Sequence, residues 1–134
     1  MRIVSRTTRS ALEQRREDTL RRRTAAGTIR RAFPHVDLVR VQLRFGTDKE
    51  SVPSAQLHAL HAPAPASFEF SCPIGDCDGT FDLNSVVRPL LEASGNHAEG
   101  SLECAGTRAQ GGTGRRPCRL HLEYRVSPLY RLRG

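Results

Sequence analysis

Four cysteines, Cys72, Cys77, Cys104 and Cys118, carry the clearest chemical capacity in this 134-residue chain. Their spacing is C-x4-C, then 26 intervening residues, then C-x13-C. Met1 to Ser10 holds charge but no apolar run, so no secretory signal is expected. The thiols are then expected in a reducing, cytoplasmic compartment, where a disulfide framework is disfavoured. Four thiolates instead suit one structural Zn²⁺ ion, held tetrahedrally with Zn–S distances of about 2.3 Å. The plain alternative is four ordinary buried thiols. An iron–sulfur site of plant type needs a C-x2-C that is missing here. His97 and His121 are the alternative fourth ligands in place of Cys118.

The other chemistry-bearing residues do not converge. Gly106 to Thr113 is rich in glycine but lacks the lysine of a phosphate-binding loop. Asn96-His97 has no second histidine on a following helix, as a metal-dependent nuclease of the His-Asn-His type needs. Asp76, Asp78 and Asp82 do not follow the offsets of a calcium loop and read as turn formers. His58 and His61 stand three residues apart, and two exposed loop histidines is the favoured reading over a metal pair. No spacing nominates a Ser, His and Asp triad. The expectation is a protein that is not an enzyme and takes no small-molecule substrate.

Charge divides the chain. Residues 1–34 hold ten arginines against Glu13, Glu17 and Asp18, a net +7 that equals the charge of the whole protein. Residues 35–134 balance 11 basic against 11 acidic residues. A neutral domain with a basic arm points to a polyanionic partner, nucleic acid or a nucleoprotein. The arginines expected to meet phosphate are Arg15, Arg16, Arg22, Arg23, Arg30 and Arg31 in the arm, and Arg40, Arg44, Arg115, Arg116, Arg119 and Arg125 beyond it. No exposed aromatic is interleaved with them, so binding should be sequence-tolerant and salt-dependent. The bland reading is that arginine is this chain's usual surface cation, since 20 of its 21 basic residues are Arg.

Behind these residues stand the elements that must position them. Ser10-Ala-Leu-Glu13 fits a capping box that starts a helix running to Ala26, with Gly27 as its left-handed terminator. Its apolar stripe is thin, Leu12 and Leu20 only, so the helix is expected to order on a partner or fray. A short turn over Thr28 to Phe33 ends at Pro34. Val36 to Phe45 alternates cleanly, with Val39, Val41, Leu43 and Phe45 on one face and Arg40, Gln42 and Arg44 on the other. Residues 46–67 read as a connector stiffened by three prolines, with one helical turn capped by Ser54. Short strands follow at Ser67 to Ser71 and Phe81 to Leu83. A helix over Asn84 to Ala93 is capped by Asn84 or Ser85 and closed by Gly95. A fourth strand spans Ser101 to Cys104. Residues 105–117 read as a flexible loop. A fifth strand, Cys118 to Val126, turns Leu120, Leu122, Tyr124 and Val126 inward and is ended by Pro128.

Phe70-Ser-Cys72-Pro-Ile-Gly-Asp-Cys77-Asp-Gly79-Thr-Phe81 resembles the first knuckle of a zinc-ribbon domain, and the resemblance covers roughly residues 66–127. It implies a strand ending at the first cysteine, a tight turn whose amides face sulfur, and a glycine that lets the chain reverse. The family usually has C-x2-C or close to it in each knuckle. Here the intervals are x4 and x13, so residues 105–117 must loop out, and the 84–93 helix is an insertion.

The expected fold is therefore α+β: a small antiparallel sheet with a zinc-ribbon-like core, one inserted short helix and an N-terminal basic helix. Residues 1–34 form the arm and residues 35–134 the domain. No apolar run approaches the ~18 residues that a membrane span needs. The leading functional expectation is nucleic-acid association. The alternative is a protein-protein adaptor whose affinity would change little with salt.

Overall fold

A computed structural model describes residues 2–46, 55–109 and 114–132, with side chains from residue 13 onward. Helix α1 spans Arg2–Ala25. It begins eight residues before Ser10, so the capping box predicted there does not mark its start. Gly27, at φ 73°, turns the chain as expected. The Thr28 side chain then accepts from the Arg31 amide at 3.2 Å and caps α2, Ile29–Ala32. Ile29 and Phe33 on this turn are fully or almost fully buried in the main core.

The principal sheet has four antiparallel strands in the order β2-β1-β8-β5: β1 Val36–Gly46, β2 Ala55–His61, β5 Ala98–Glu103 and β8 His121–Tyr130. The alternation in β1 and β8 sets their register. Val41 lies opposite Val126, Leu43 opposite Tyr124 and Phe45 opposite Leu122, so one face of the pair is continuously apolar. A second layer closes over that face. It comprises the β3–β4 hairpin (Glu69–Ser71 with Thr80–Asp82) and α3, Asn84–Glu92. Phe68, Phe81, Leu83, Val87 and Leu91 from this layer are buried in one cluster with the sheet residues. Each such side chain contributes about 1.5–3 kcal/mol of burial.

Several elements differ from the sequence expectation. Residues 55–61 form strand β2 rather than a helical turn, because seven consecutive pairings with β1 satisfy their backbone. Ser54, the expected cap, lies outside the described residues. The segment predicted as a flexible loop contains a second hairpin, β6 Thr107–Ala109 with β7 Arg115–Pro117; residues 110–113 lie outside the described set. Strand β8 starts three residues later than predicted and runs through Pro128 to Tyr130. Pairing with β5 stops at Val126, so beyond it β8 has a free side where a residue without an N–H is tolerated.

Helix α3 has no side-chain cap, and Leu83 occupies the cap position. Asn84 instead accepts the Phe68 amide at 3.0 Å and donates to Asp82 at 2.8 Å, tying α3 to β3 and β4. At the other end Ser94, not Gly95, takes the left-handed conformation, at φ 52°. The Ser94 amide donates to Leu91 and the Gly95 amide to Leu90, a complete Schellman closure.

Candidate metal centre

The four cysteines lie at the ends of short elements. Cys72 follows β3, Cys77 precedes β4, Cys104 follows β5, and Cys118 follows β7. All four are buried, and their sulfurs lie within 4.8 Å of one another. Cys72 and Cys118 approach to 3.8 Å and Cys77 and Cys104 to 3.6 Å. A tetrahedron with arms of about 2.3 Å has edges of about 3.8 Å, so the sulfurs surround a volume suited to one tetrahedral ion. Cys118 completes the set. His97 is exposed and sits 3.2 Å from Glu99, and His121 is exposed on β8; neither joins the sulfurs. His58 packs on Phe70 with ring centroids 4.8 Å apart, and His61, three residues along a strand, is on the opposite face. The two histidines form no pair.

The centre has an internal two-fold pattern that the sequence carries as a repeated Cys-x-Gly. The Gly79 amide donates to Cys77 Sγ at 3.3 Å, and the Gly106 amide donates to Cys104 Sγ at 3.4 Å. The Gly79 carbonyl accepts the Cys72 amide at 3.1 Å, and the Gly106 carbonyl accepts the Cys118 amide at 3.0 Å. The two glycines lie back to back: a Cβ on Gly106 would collide with the Gly79 backbone, and one on Gly79 would collide with Cys104 Sγ and press on the Gly106 backbone. The reversal predicted at Gly79 is therefore present, and Gly106 is its counterpart in the second half. The sequence expectation places Gly106 within a loop; the offset it shares with Gly79, two residues after a cysteine, is the signal in the sequence.

Around the sulfurs, local amides and burial act in opposite directions. Burial pushes the Cys77 thiol up to about 12, and it also raises Cys72, where neighbouring thiols reinforce the effect. Amide donation from Gly79 and Ile74 favours the thiolates at Cys77 and Cys72 respectively. Without a cation Cys72 and Cys77 are therefore held protonated, and a divalent ion would displace their protons. Asp78, between Cys77 and Gly79, bridges the halves by accepting the Thr107 amide at 2.7 Å. Burial alone would raise its carboxyl, but the Thr107 amide and the Arg15 and Arg115 guanidiniums outweigh it and hold it below the usual carboxylate range.

The arginines expected to meet phosphate fall into two groups. Five are engaged within the protein. Arg22 Nε donates to both oxygens of Glu69, at 3.2 and 3.0 Å, and Arg23 donates to the Glu69 carbonyl at 3.0 Å. Arg15 lies 3.8 Å from Asp78, Arg115 donates to the Asp76 carbonyl at 3.0 Å, and Arg125 lies 3.4 Å from Glu99. The other seven, Arg16, Arg30, Arg31, Arg40, Arg44, Arg116 and Arg119, are exposed and have no side-chain partner among the described residues. β1 and β8 do pair, and they present Arg40, Arg44, His121 and Arg125 outward. That face also carries Glu99, Glu103 and Glu123, so its charge is mixed rather than uniformly basic. No described helix is long and apolar enough to cross a membrane. Comparison of the chain with protein-family models, curated proteins and solved structures returned no match.

Proposed function

We propose that this is a non-enzymatic protein stapled by one structural Zn²⁺ ion in a zinc-ribbon-like centre, and that it associates with nucleic acid or a nucleoprotein. The observation that carries the metal reading is the convergence of four buried sulfurs within 4.8 Å. Soft thiolates in tetrahedral array select zinc over harder divalent ions. Four protein ligands leave no open position for a substrate, which supports a structural role. A core with five phenylalanines and no tryptophan gains most from such a staple. Free thiols accord with a reducing compartment such as the cytoplasm.

The net charge of +7 and the seven arginines without a side-chain partner among the described residues support the polyanion reading. Arg16, Arg30 and Arg31 in the first 31 residues are the leading phosphate contacts. Truncation through residue 33 is a poor test, because it removes core residues Ile29 and Phe33. The test is instead a titration of mixed-sequence oligonucleotide at low and high salt, comparing the native chain with Arg16→Glu, Arg30→Glu, Arg31→Glu combined. Elemental analysis of protein purified without added metal accompanies it. About one zinc per chain and a steep salt slope that flattens in the variant are expected. Absence of bound metal, or equal binding by both chains, would overturn the corresponding half of the proposal.

A further inference from the structure

Helix α1 docks its basic side onto the protein's own acidic residues. Arg15, Thr19, Arg22 and Arg23 recur at helical spacing on one side. Thr19 is buried, although its helix is otherwise polar. Glu13, Glu17, Leu20 and Thr24 face solvent on the opposite side, with Leu20 62% exposed. The receiving surface is built from the segment that leads into the metal centre. Glu69, the first residue of β3, is buried and takes Arg22 through both carboxylate oxygens and Arg23 through its carbonyl. Asp78, inside the Cys77–Gly79 knuckle, faces Arg15. A crevice of about 100 Å³ between Arg15, Arg16 and Thr19 and the Cys72–Gly79 turn marks the seam. Thr19 and Glu69 are the only buried polar or charged residues among those described, and both belong to this contact. Four thiolates around a divalent ion carry two net negative charges in the same region, which adds to the attraction.

We infer that α1 is an autoinhibitory latch, in which Glu69 and Asp78 occupy the arginines that a polyanion would otherwise engage, so that docking of the helix and binding of the polyanion by Arg15, Arg22 and Arg23 are mutually exclusive. This rests on the polyanion reading above and supplies its regulation. In the docked state Arg15 and Arg22 keep 62% and 54% of their side-chain surface exposed, so what withholds them from a polyanion is their pairing with Asp78 and Glu69 rather than cover. A phosphate backbone that captures the helix must displace Glu69 from Arg22 and leave a buried carboxylate without its cation, a cost that sets the threshold for release.

The test uses the full metal-loaded chain, a fluorescent mixed-sequence single-stranded 20-mer as probe, and hydrogen exchange over residues 13–25. Glu69→Gln keeps the shape and removes the charge. Glu123→Gln, on the outer face of the sheet, changes net charge equally far from the latch. Glu69→Gln should speed exchange in α1, tighten binding about tenfold and steepen the salt slope by about 2.1 as three more phosphates are engaged. Glu123→Gln should leave exchange unchanged and alter affinity less than about twofold. Arg22→Gln opens the latch from the helix side and should speed the same exchange, which decides the docking contact if Glu69→Gln fails to fold. Equal tightening by both glutamate variants would be a net-charge effect and would overturn the latch, as would unchanged exchange in α1. If α1 opens but no chain binds the probe, the polyanion reading falls and the competition with it.

Discussion

Gly106→Ala tests the architecture of the metal centre directly. The added Cβ would project onto the Cα and amide nitrogen of Gly79 and come 2.9 Å from Asp78 Oδ1. Its neighbour is backbone, which cannot swing aside as the end of a side chain would. Gly79 in turn donates to Cys77 Sγ, so a shift at one knuckle moves the other. Overpacking of this kind costs about 1–3 kcal/mol, and a backbone collision belongs in the upper part of that range. At about 2–3 kcal/mol, affinity for Zn²⁺ should fall roughly 30- to 150-fold, read by competition with a chromophoric chelator. Gly75→Ala is the control. It lies in the first knuckle, and a Cβ there meets nothing within 4 Å. It should hold affinity within about threefold of the native chain. If Gly106→Ala behaves like Gly75→Ala, the two knuckles are not locked through their glycines and the back-to-back arrangement is wrong.

Metal binding should weaken as pH falls, because protons must leave four thiols; the slope should approach about one decade per pH unit for each thiol, read by chelator competition across pH. The metal-free chain should respond in the opposite sense: burial raises the folded thiol of Cys77 to about 12, so above the ordinary value of about 8.5 the unfolded chain holds fewer protons and stability falls as pH rises. Urea melts in chelator near pH 7 and near pH 10 check this, and equal midpoints would refute it. Ile29→Ala, at a fully buried position just after the basic helix, should cost about 2–5 kcal/mol in the same melts, whereas Leu20→Ala, at an exposed one, should stay within about 0.5 kcal/mol.

The parts of the fold that were legible in the sequence are those where one local period had a single reading. Val39 to Phe45 and Leu122 to Val126 alternate without interruption, and both are strands with the predicted faces buried. The helix at 84–92 was legible between an Asn-Ser start and a glycine stop, although its cap position falls on Leu83. β2 was not, since a polar Gln56 and two histidines blur its alternation and its pairing partner β1 supplies the decisive hydrogen bonds. The β6–β7 hairpin was hidden for a related reason. Its glycine-rich flanks read as loop, while it is fastened by Asp78 and Asp76, which lie 29 and 33 residues away from the amides they accept. The cysteines were found because thiols in fours have few other uses. The direction of the arm's arginines could not be found that way. Charge counting registers how many cations a helix carries, and only the position of Glu69 in space fixes which way they turn.

The sulfurs in closest contact belong to residues far apart along the chain: Cys72 with Cys118, 46 positions on, and Cys77 with Cys104, 27 positions on. A ribosome adding about 5–20 residues per second exposes the first pair for at least a second before either partner emerges. Through that interval a nascent chain offers two thiolates, half of a tetrahedral set. Strand β8 follows Cys118 directly, yet it lies in the middle of the sheet, between β1 and β5. Until it arrives, those two strands have no common neighbour and their apolar faces stay open. If the centre holds an ion as proposed, its capture and the insertion of the central strand would coincide, and a shortage of metal at that moment would leave the sheet divided.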